Sequence, residues 1–179
     1  GFRKPLYCLF INMRVLMIGL DKTLLGLDYS GDVLERHQEY ARRAGYLDIV
    51  IFSKKGFSQK NFGSNLRIYP TNSLSKIFYV WDAYRIVAGP ASALRGPLPQ
   101  LIVTQDPFLT GLVGWFLKIK FKVPLLIHFH GDFRQNKYWL KERRYNRLLL
   151  PLSKFLASRR RFVIKESHLL CRYASSLSS

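Results

Sequence analysis

Short apolar runs alternate along the chain with longer segments in which apolar residues recur every three or four positions. The first run, Arg14-Val-Leu-Met-Ile-Gly-Leu20, has the continuity of a strand buried on both faces of a parallel sheet. A polar, glycine-containing loop follows over residues 21–31, and Asp32-x-x-Glu35 predicts a capping-box entry into a helix. Val33, His37, Tyr40 and Ala44 repeat at helical spacing, and Gly45 predicts the helix end. Leu47-Asp-Ile-Val-Ile-Phe52 predicts a second buried strand, residues 53–65 a loop, and Leu66-Arg-Ile-Tyr69 a third strand stopped by Pro70. Residues 74–88 read as a helix closed by Gly89-Pro90, and residues 91–99 as a Pro/Gly-punctuated connection. Leu101-Ile-Val-Thr104 predicts a fourth strand, with Asp106 and Pro107 as cap and first residue of the next helix. Pro124 introduces a fifth strand, Leu125-Leu-Ile-His-Phe129. Residues 136–160 form a basic helical stretch that Pro151 must kink or split, and Arg161-Phe-Val-Ile164 predicts a sixth strand.

Strands alternating with helices predict an α/β fold: a Rossmann-like, doubly wound parallel sheet of about six strands with helices on both faces. Residues 13–165 are expected to form this domain. Residues 1–12 read as an extra or weakly ordered segment ahead of Met13, the expected natural start, and residues 166–179 as a frayed tail. In such sheets ligands bind beyond the carboxyl ends of the strands, near the reversal of strand order. That rule selects the 21–32 loop, Ser53, Gln105 with Asp106, and residues 128–132.

Composition narrows the function classes. The chain has 179 residues, enough for one domain, and 48% hydrophobic residues exclude global disorder. Lys and Arg number 29 against 11 Asp and Glu, a net charge of +18 that predicts an anionic partner. Cys8 and Cys171, near opposite ends, exclude a disulfide scaffold and a zinc site built on close cysteine pairs. A reducing compartment follows, with the cytoplasm as the expected location. No apolar run reaches the ~20 residues of a membrane span; the longest, over residues 107–117, stops at Lys118. Residues 3–11 mimic a signal peptide, but Arg14 interrupts them and no small-residue cleavage site follows.

The candidate chemistry lies at the strand ends. Gly31 precedes a helix N-terminus, whose free N–H groups suit a phosphate; a plain helix entrance with Asp32 as cap fits these residues equally. Arg36, one turn on, faces either the ligand or solvent. The dinucleotide fingerprint G-x-G-x-x-G is absent, which argues against a Rossmann dehydrogenase. In Ile127-His-Phe-His-Gly-Asp132, alternation sends His128 and His130 to one face. His128 reads as a hydrogen-bonded core histidine. His130 falls where the strand stops, placed to bond a substrate or move a proton, and Gly131 lets a ligand approach beside Asp132. Two histidines of one strand without a third placed ligand predict no metal. Asp106 reads chiefly as a helix cap at the cleft floor. The basic stretch after Arg134 interleaves Lys137, Trp139, Lys141, Arg143, Arg144 and Arg147 with apolar residues. It suits an anionic membrane surface first, a solvated face next, and nucleic acid last, for want of any nucleic-acid module.

Four motifs in order carry a family resemblance: Met13-Arg-Val-Leu-Met-Ile-Gly19, Gly31-Asp-Val-Leu-Glu-Arg-His37, Val103-Thr-Gln-Asp-Pro-Phe108 with Gly111-Leu112, and Pro124-Leu-Leu-Ile-His-Phe-His-Gly-Asp132. Together they resemble the N-terminal, acceptor-side half of a family 4 glycosyltransferase of the two-domain GT-B architecture. The resemblance implies hexosyl transfer from a nucleotide-sugar donor to a saccharide or lipid-linked acceptor, as in polysaccharide biosynthesis, peripherally on the inner face of a membrane. It implies no cofactor beyond the donor co-substrate. By the same resemblance His130 is the catalytic histidine near the transferred sugar and Gly31 belongs to the loop that meets donor phosphate or acceptor; the strand-end reading adds Asp32, Arg36, Asp106, Gly131 and Asp132 to the expected substrate-binding residues. The family's donor-binding domain carries two glutamates eight positions apart. Here Glu142 and Glu166 are the glutamates after Asp132, at the wrong spacing. The chain is therefore expected to be a fragment or one subunit of a split enzyme, inactive without a donor-binding C-terminal domain or partner. The alternative is a non-catalytic, basic Rossmann-like module for a membrane surface or polyanion.

Overall fold

The computed structural model describes residues 13–26, 32–90, 92–94, 96–129 and 163–165. Gly31, His130, Gly131, Asp132 and the basic stretch with Lys137, Trp139, Lys141, Arg143, Arg144 and Arg147 lie outside these residues, as do the two terminal segments. In chain order the elements are β1 (Met13–Gly19), α1 (Val33–Ala44), β2 (Gly45–Ile51), β3 (Lys60–Phe62), β4 (Leu66–Pro70), α2 (Tyr79–Ala88), β5 (Leu101–Thr104), α3 (Leu109–Phe121), β6 (Leu125–Phe129) and β7 (Val163–Lys165). They build one seven-stranded sheet of order β3-β4-β2-β1-β5-β6-β7. Every pairing is parallel except β3 with β4. This is the expected doubly wound, Rossmann-like α/β architecture.

The apolar runs are continuous because both faces of the sheet are covered. Leu16 and Ile18 of β1, Val50 of β2 and Ile102 of β5 pack on one side with Ala83 and Val87 of α2 and Val113 and Leu117 of α3. Their strand neighbours Val15, Met17, Ile49 and Val103 pack on the other side with Ala41 of α1. The α3 contact is tight. A Cβ on Gly114 would lie 2.6 Å from Thr104 Cγ2 and 2.8 Å from Leu125 Cδ1. Gly114→Val is therefore expected to lower stability by about 1–3 kcal/mol through overpacking, read as a shift in the denaturant midpoint.

Several boundaries differ from the sequence pattern. The sheet gains β3, an antiparallel edge inside the expected 53–65 loop; a three-residue Lys-Asn-Phe strand has no alternation to reveal it. Residues Lys22–Leu25 form a 3-10 helix in the expected first loop, because Leu24 and Leu25 are buried in the α1-side core. The helix expected from residue 74 starts with a 3-10 turn at Lys76 and becomes α-helical at Tyr79. In α1 the inward stripe runs through His37 and Ala41, while Tyr40 is exposed.

At the amino ends of the strands a charged pair is buried. Arg14 Nε donates to Asp48 Oδ2 at 2.7 Å, and Nη2 lies 2.7 Å from the same oxygen. Arg14 Nη1 donates to the Pro97 carbonyl at 2.8 Å, and the guanidinium sits 4.9 Å from the centroid of the Tyr46 ring. Gln100 Oε1 accepts from the Arg14 main-chain N–H at 3.0 Å. Burial pushes the Asp48 carboxyl above its ordinary range, and its bond to Arg14 opposes that rise.

Candidate functional site

Strand order reverses between β1 and β5, since β2 and β4 continue on one side of β1 and β6 and β7 on the far side of β5. The carboxyl ends of these two central strands are where a doubly wound sheet receives its ligand. Here the ends are clamped together. The Gln105 main-chain N–H donates to the Ile18 carbonyl at 3.1 Å. The Gln105 side chain reaches back, and its Oε1 accepts from the Leu20 N–H at 2.9 Å. A Cβ on Gly19 would sit 2.6 Å from that oxygen, so the clamp requires glycine there. With Oε1 committed, the NH2 group is what this amide can direct to a ligand.

Beside the clamp, Asp21 Oδ1 accepts from Thr23 N–H at 3.0 Å and from Thr23 Oγ1 at 2.7 Å, fixing the turn after β1. Asp106, one position past Gln105, is half-buried. Its Oδ1 accepts from Phe108 N–H at 2.6 Å and its Oδ2 from Thr110 Oγ1 at 2.7 Å. The carboxylate thus organises the approach to α3, which begins at Leu109 rather than at Pro107. Asp106 is therefore not the helix cap that was expected: the cap position is Phe108, which makes no side-chain cap bond, and Asp106 stands three positions before Leu109.

The entrance to α1 departs from the capping box. Asp32 makes no side-chain cap bond to α1. Its Oδ2 lies 3.2 Å from Arg36 Nε instead, with both side chains exposed. An exposed pair of this kind contributes only about 0.3–0.5 kcal/mol, so both groups can be redirected to a ligand at small cost. Ser53 does not qualify as a ligand group. It is fully buried, its Oγ accepts from Asn72 N–H at 3.1 Å, and its N–H donates to Thr71 Oγ1 at 2.9 Å. It stitches the loop after β2 to the loop after β4.

His37 was expected as part of the helical stripe, and the structure gives it an electrostatic role. It is buried on α1, with Nδ1 2.7 Å from the Val33 carbonyl oxygen, and it feels the Asp21 carboxylate. Desolvation lowers its pKa below the ordinary 6.5, against the opposing pull of the Val33 carbonyl. The unfolded chain therefore takes up this proton first as pH falls through about 6.5. Stability is full above that pH and drops below it, until His37 protonates in the folded chain as well. The slope reaches at most about 1.4 kcal/mol per pH unit. Urea midpoints between pH 8 and pH 5 should show the drop, and His37→Leu should flatten it.

His128, expected in the core, is half-buried near the carboxyl end of β6, in register with Ile164 of β7. Strand β6 ends at Phe129, so its carboxyl end lies one strand beyond β5 from the clamp. Among the described residues, no three His, Cys, Asp or Glu side chains cluster as metal ligands would. The structure thus brings Gly19, Gln105 and Asp106 to the strand reversal and sets Asp32 and Arg36 at the entrance to α1. Sequence reasoning placed Gln105 at this edge without a role; only pairing β1 with β5 shows its side chain closing on Gly19 and Leu20. No family model matches the chain, and no curated protein matches it.

Proposed function

We propose that this chain is the acceptor-side half of a hexosyltransferase, holding a saccharide or lipid-linked saccharide at the carboxyl ends of β1, β5 and β6. The observation that carries this is the Gln105 clamp at the strand reversal, which presents a fixed amide donor beside the Asp106 carboxylate. Neutral amides and carboxylates suit the hydroxyls of a sugar. The order of the four motifs supports the same assignment. In the sequence His130 directly follows Phe129, the last residue of β6, whose carboxyl end lies at the same edge. The donor side, with its nucleotide sugar, is assigned to a further domain or a separate subunit, because these 179 residues contain no glutamate pair at the family's spacing.

The class of ligand is tested by saturation-transfer NMR on the full chain, with a panel of short alkyl glycosides and with NAD+ as the contrasting probe. Glycoside signals that weaken in Gln105→Leu support the proposal. Saturation of NAD+ with none on any glycoside would replace it with a dinucleotide-binding function.

A further inference from the structure

We propose that the loops after β2 and β4, together with the first turns of α2, form a docking surface for an anionic lipid bilayer, with Ile77 and Trp81 inserting among the headgroups. This goes beyond the sugar-transfer proposal and does not depend on it.

The first observation is an apolar patch. Leu74 is 72% exposed, Ile77 85%, Phe78 47% and Trp81 59%, four large apolar side chains within eight consecutive residues. Single exposed apolar residues are ordinary, but a run of this density marks a surface that something covers. Helical geometry explains its outward face. Tyr79, Ala83 and Val87 of α2 are committed to the core, which turns Ile77, Phe78 and Trp81 away from it. Trp81 is further held by stacking on Tyr84, at 6.4 Å between centroids.

The second observation is charge. Lys54, Lys55 and Lys76 are all exposed, and the loops that carry them are stitched together. Lys54 bridges Ser73, the Ser73 N–H donates to the Ser53 carbonyl at 2.9 Å, and Asn72 Nδ2 donates to the Phe57 carbonyl at 2.7 Å. The lysines and the start of the apolar run are thus parts of one platform. Asp82, half-buried, is the one acidic residue between Ile49 and Asp106. An apolar patch beside lysines, with almost no acid, complements the negative surface of an anionic leaflet. A protein partner with an apolar face would leave these lysines unmatched. Lysine stems can lie along the apolar surface while their ammonium groups reach the phosphates, and tryptophan favours the interface. The platform stands at the carboxyl ends of β2 and β4, the edge of the sheet that also carries the Gln105 clamp.

The test is co-sedimentation of the full chain with vesicles of phosphatidylcholine alone or mixed with phosphatidylglycerol, over a salt series. The wild-type chain is expected to bind the anionic vesicles, and binding should weaken as salt rises. Ile77→Ser with Trp81→Ser should weaken binding about tenfold or more, as should Lys54→Gln, Lys55→Gln and Lys76→Gln together. All five side chains are exposed, so circular dichroism and the thermal midpoint should not change. Wild-type affinity in the Ile77→Ser, Trp81→Ser variant would overturn the proposal. So would loss of binding only when Lys141, Arg143, Arg144 and Arg147 are changed to Gln. A lipid-free dimer that the Ile77→Ser, Trp81→Ser variant converts to monomer would assign the patch to a second copy and overturn it equally.

Discussion

Asp48→Ala should cost the folded chain about 3–5 kcal/mol, because it strands the Arg14 guanidinium in the interior without its counter-charge. Side-chain exposures of 6% and 1% exclude the water that would otherwise solvate the pair. Domain stabilities run to roughly 5–15 kcal/mol, so this one substitution should bring the chain close to unfolding. Replacing both partners should behave differently. Arg14→Met with Asp48→Leu removes both buried charges, and it should recover most of the loss. Denaturant midpoints of the two variants check this directly. A cost below about 1 kcal/mol for Asp48→Ala is what an exposed pair would give, and would contradict the buried geometry.

The second large effect concerns the strand end. On the proposed function, in an enzyme assembled from this chain and a donor-binding half, His130→Ala is expected to reduce turnover about 10²–10³-fold, the usual loss for one bond made in the transition state. His128→Ala should leave turnover nearly intact and lower stability by about 1 kcal/mol, since His128 is half-buried in β6. The two residues are two positions apart in the sequence, so the contrast separates a role in the reaction from a role in the sheet. Equal turnover in wild type and His130→Ala would remove this histidine from the chemistry.

The α/β class was legible because a parallel sheet covered on both faces needs unbroken apolar runs, and those of β1, β2, β5 and β6 stand out. Pairing was not legible in the same way. Lys60–Phe62 forms an edge strand through main-chain bonds to β4, which no side-chain pattern announces. Arg14 and Asp48 appeared as charged interruptions of apolar strands, yet they lie level with Tyr46 and Leu16, their register partners across β1 and β2. Two interruptions 34 residues apart become one ion pair only once that pairing is known. The candidate site followed the same division. Strand ends could be counted from the sequence, so Gln105 and Asp106 were placed at the correct edge. The acid in Asp32-x-x-Glu35 suggested a cap, but in the structure its carboxylate takes the local i,i+4 bond to Arg36 instead. The apolar patch at Ile77 and Trp81 was hidden because its residues look like core positions until the helix phase is fixed by Tyr79 and Ala83.

Sugar recognition at the strand reversal is most directly tested by mapping main-chain amide shifts of the isotopically labelled full chain during titration with short alkyl glycosides. Saturable shifts should concentrate at Gly19, Leu20, Gln105 and Asp106, and Gln105→Leu should weaken them while the fold is retained. Shifts confined to other surfaces, or none at millimolar glycoside, would contradict an acceptor site at the ends of β1 and β5.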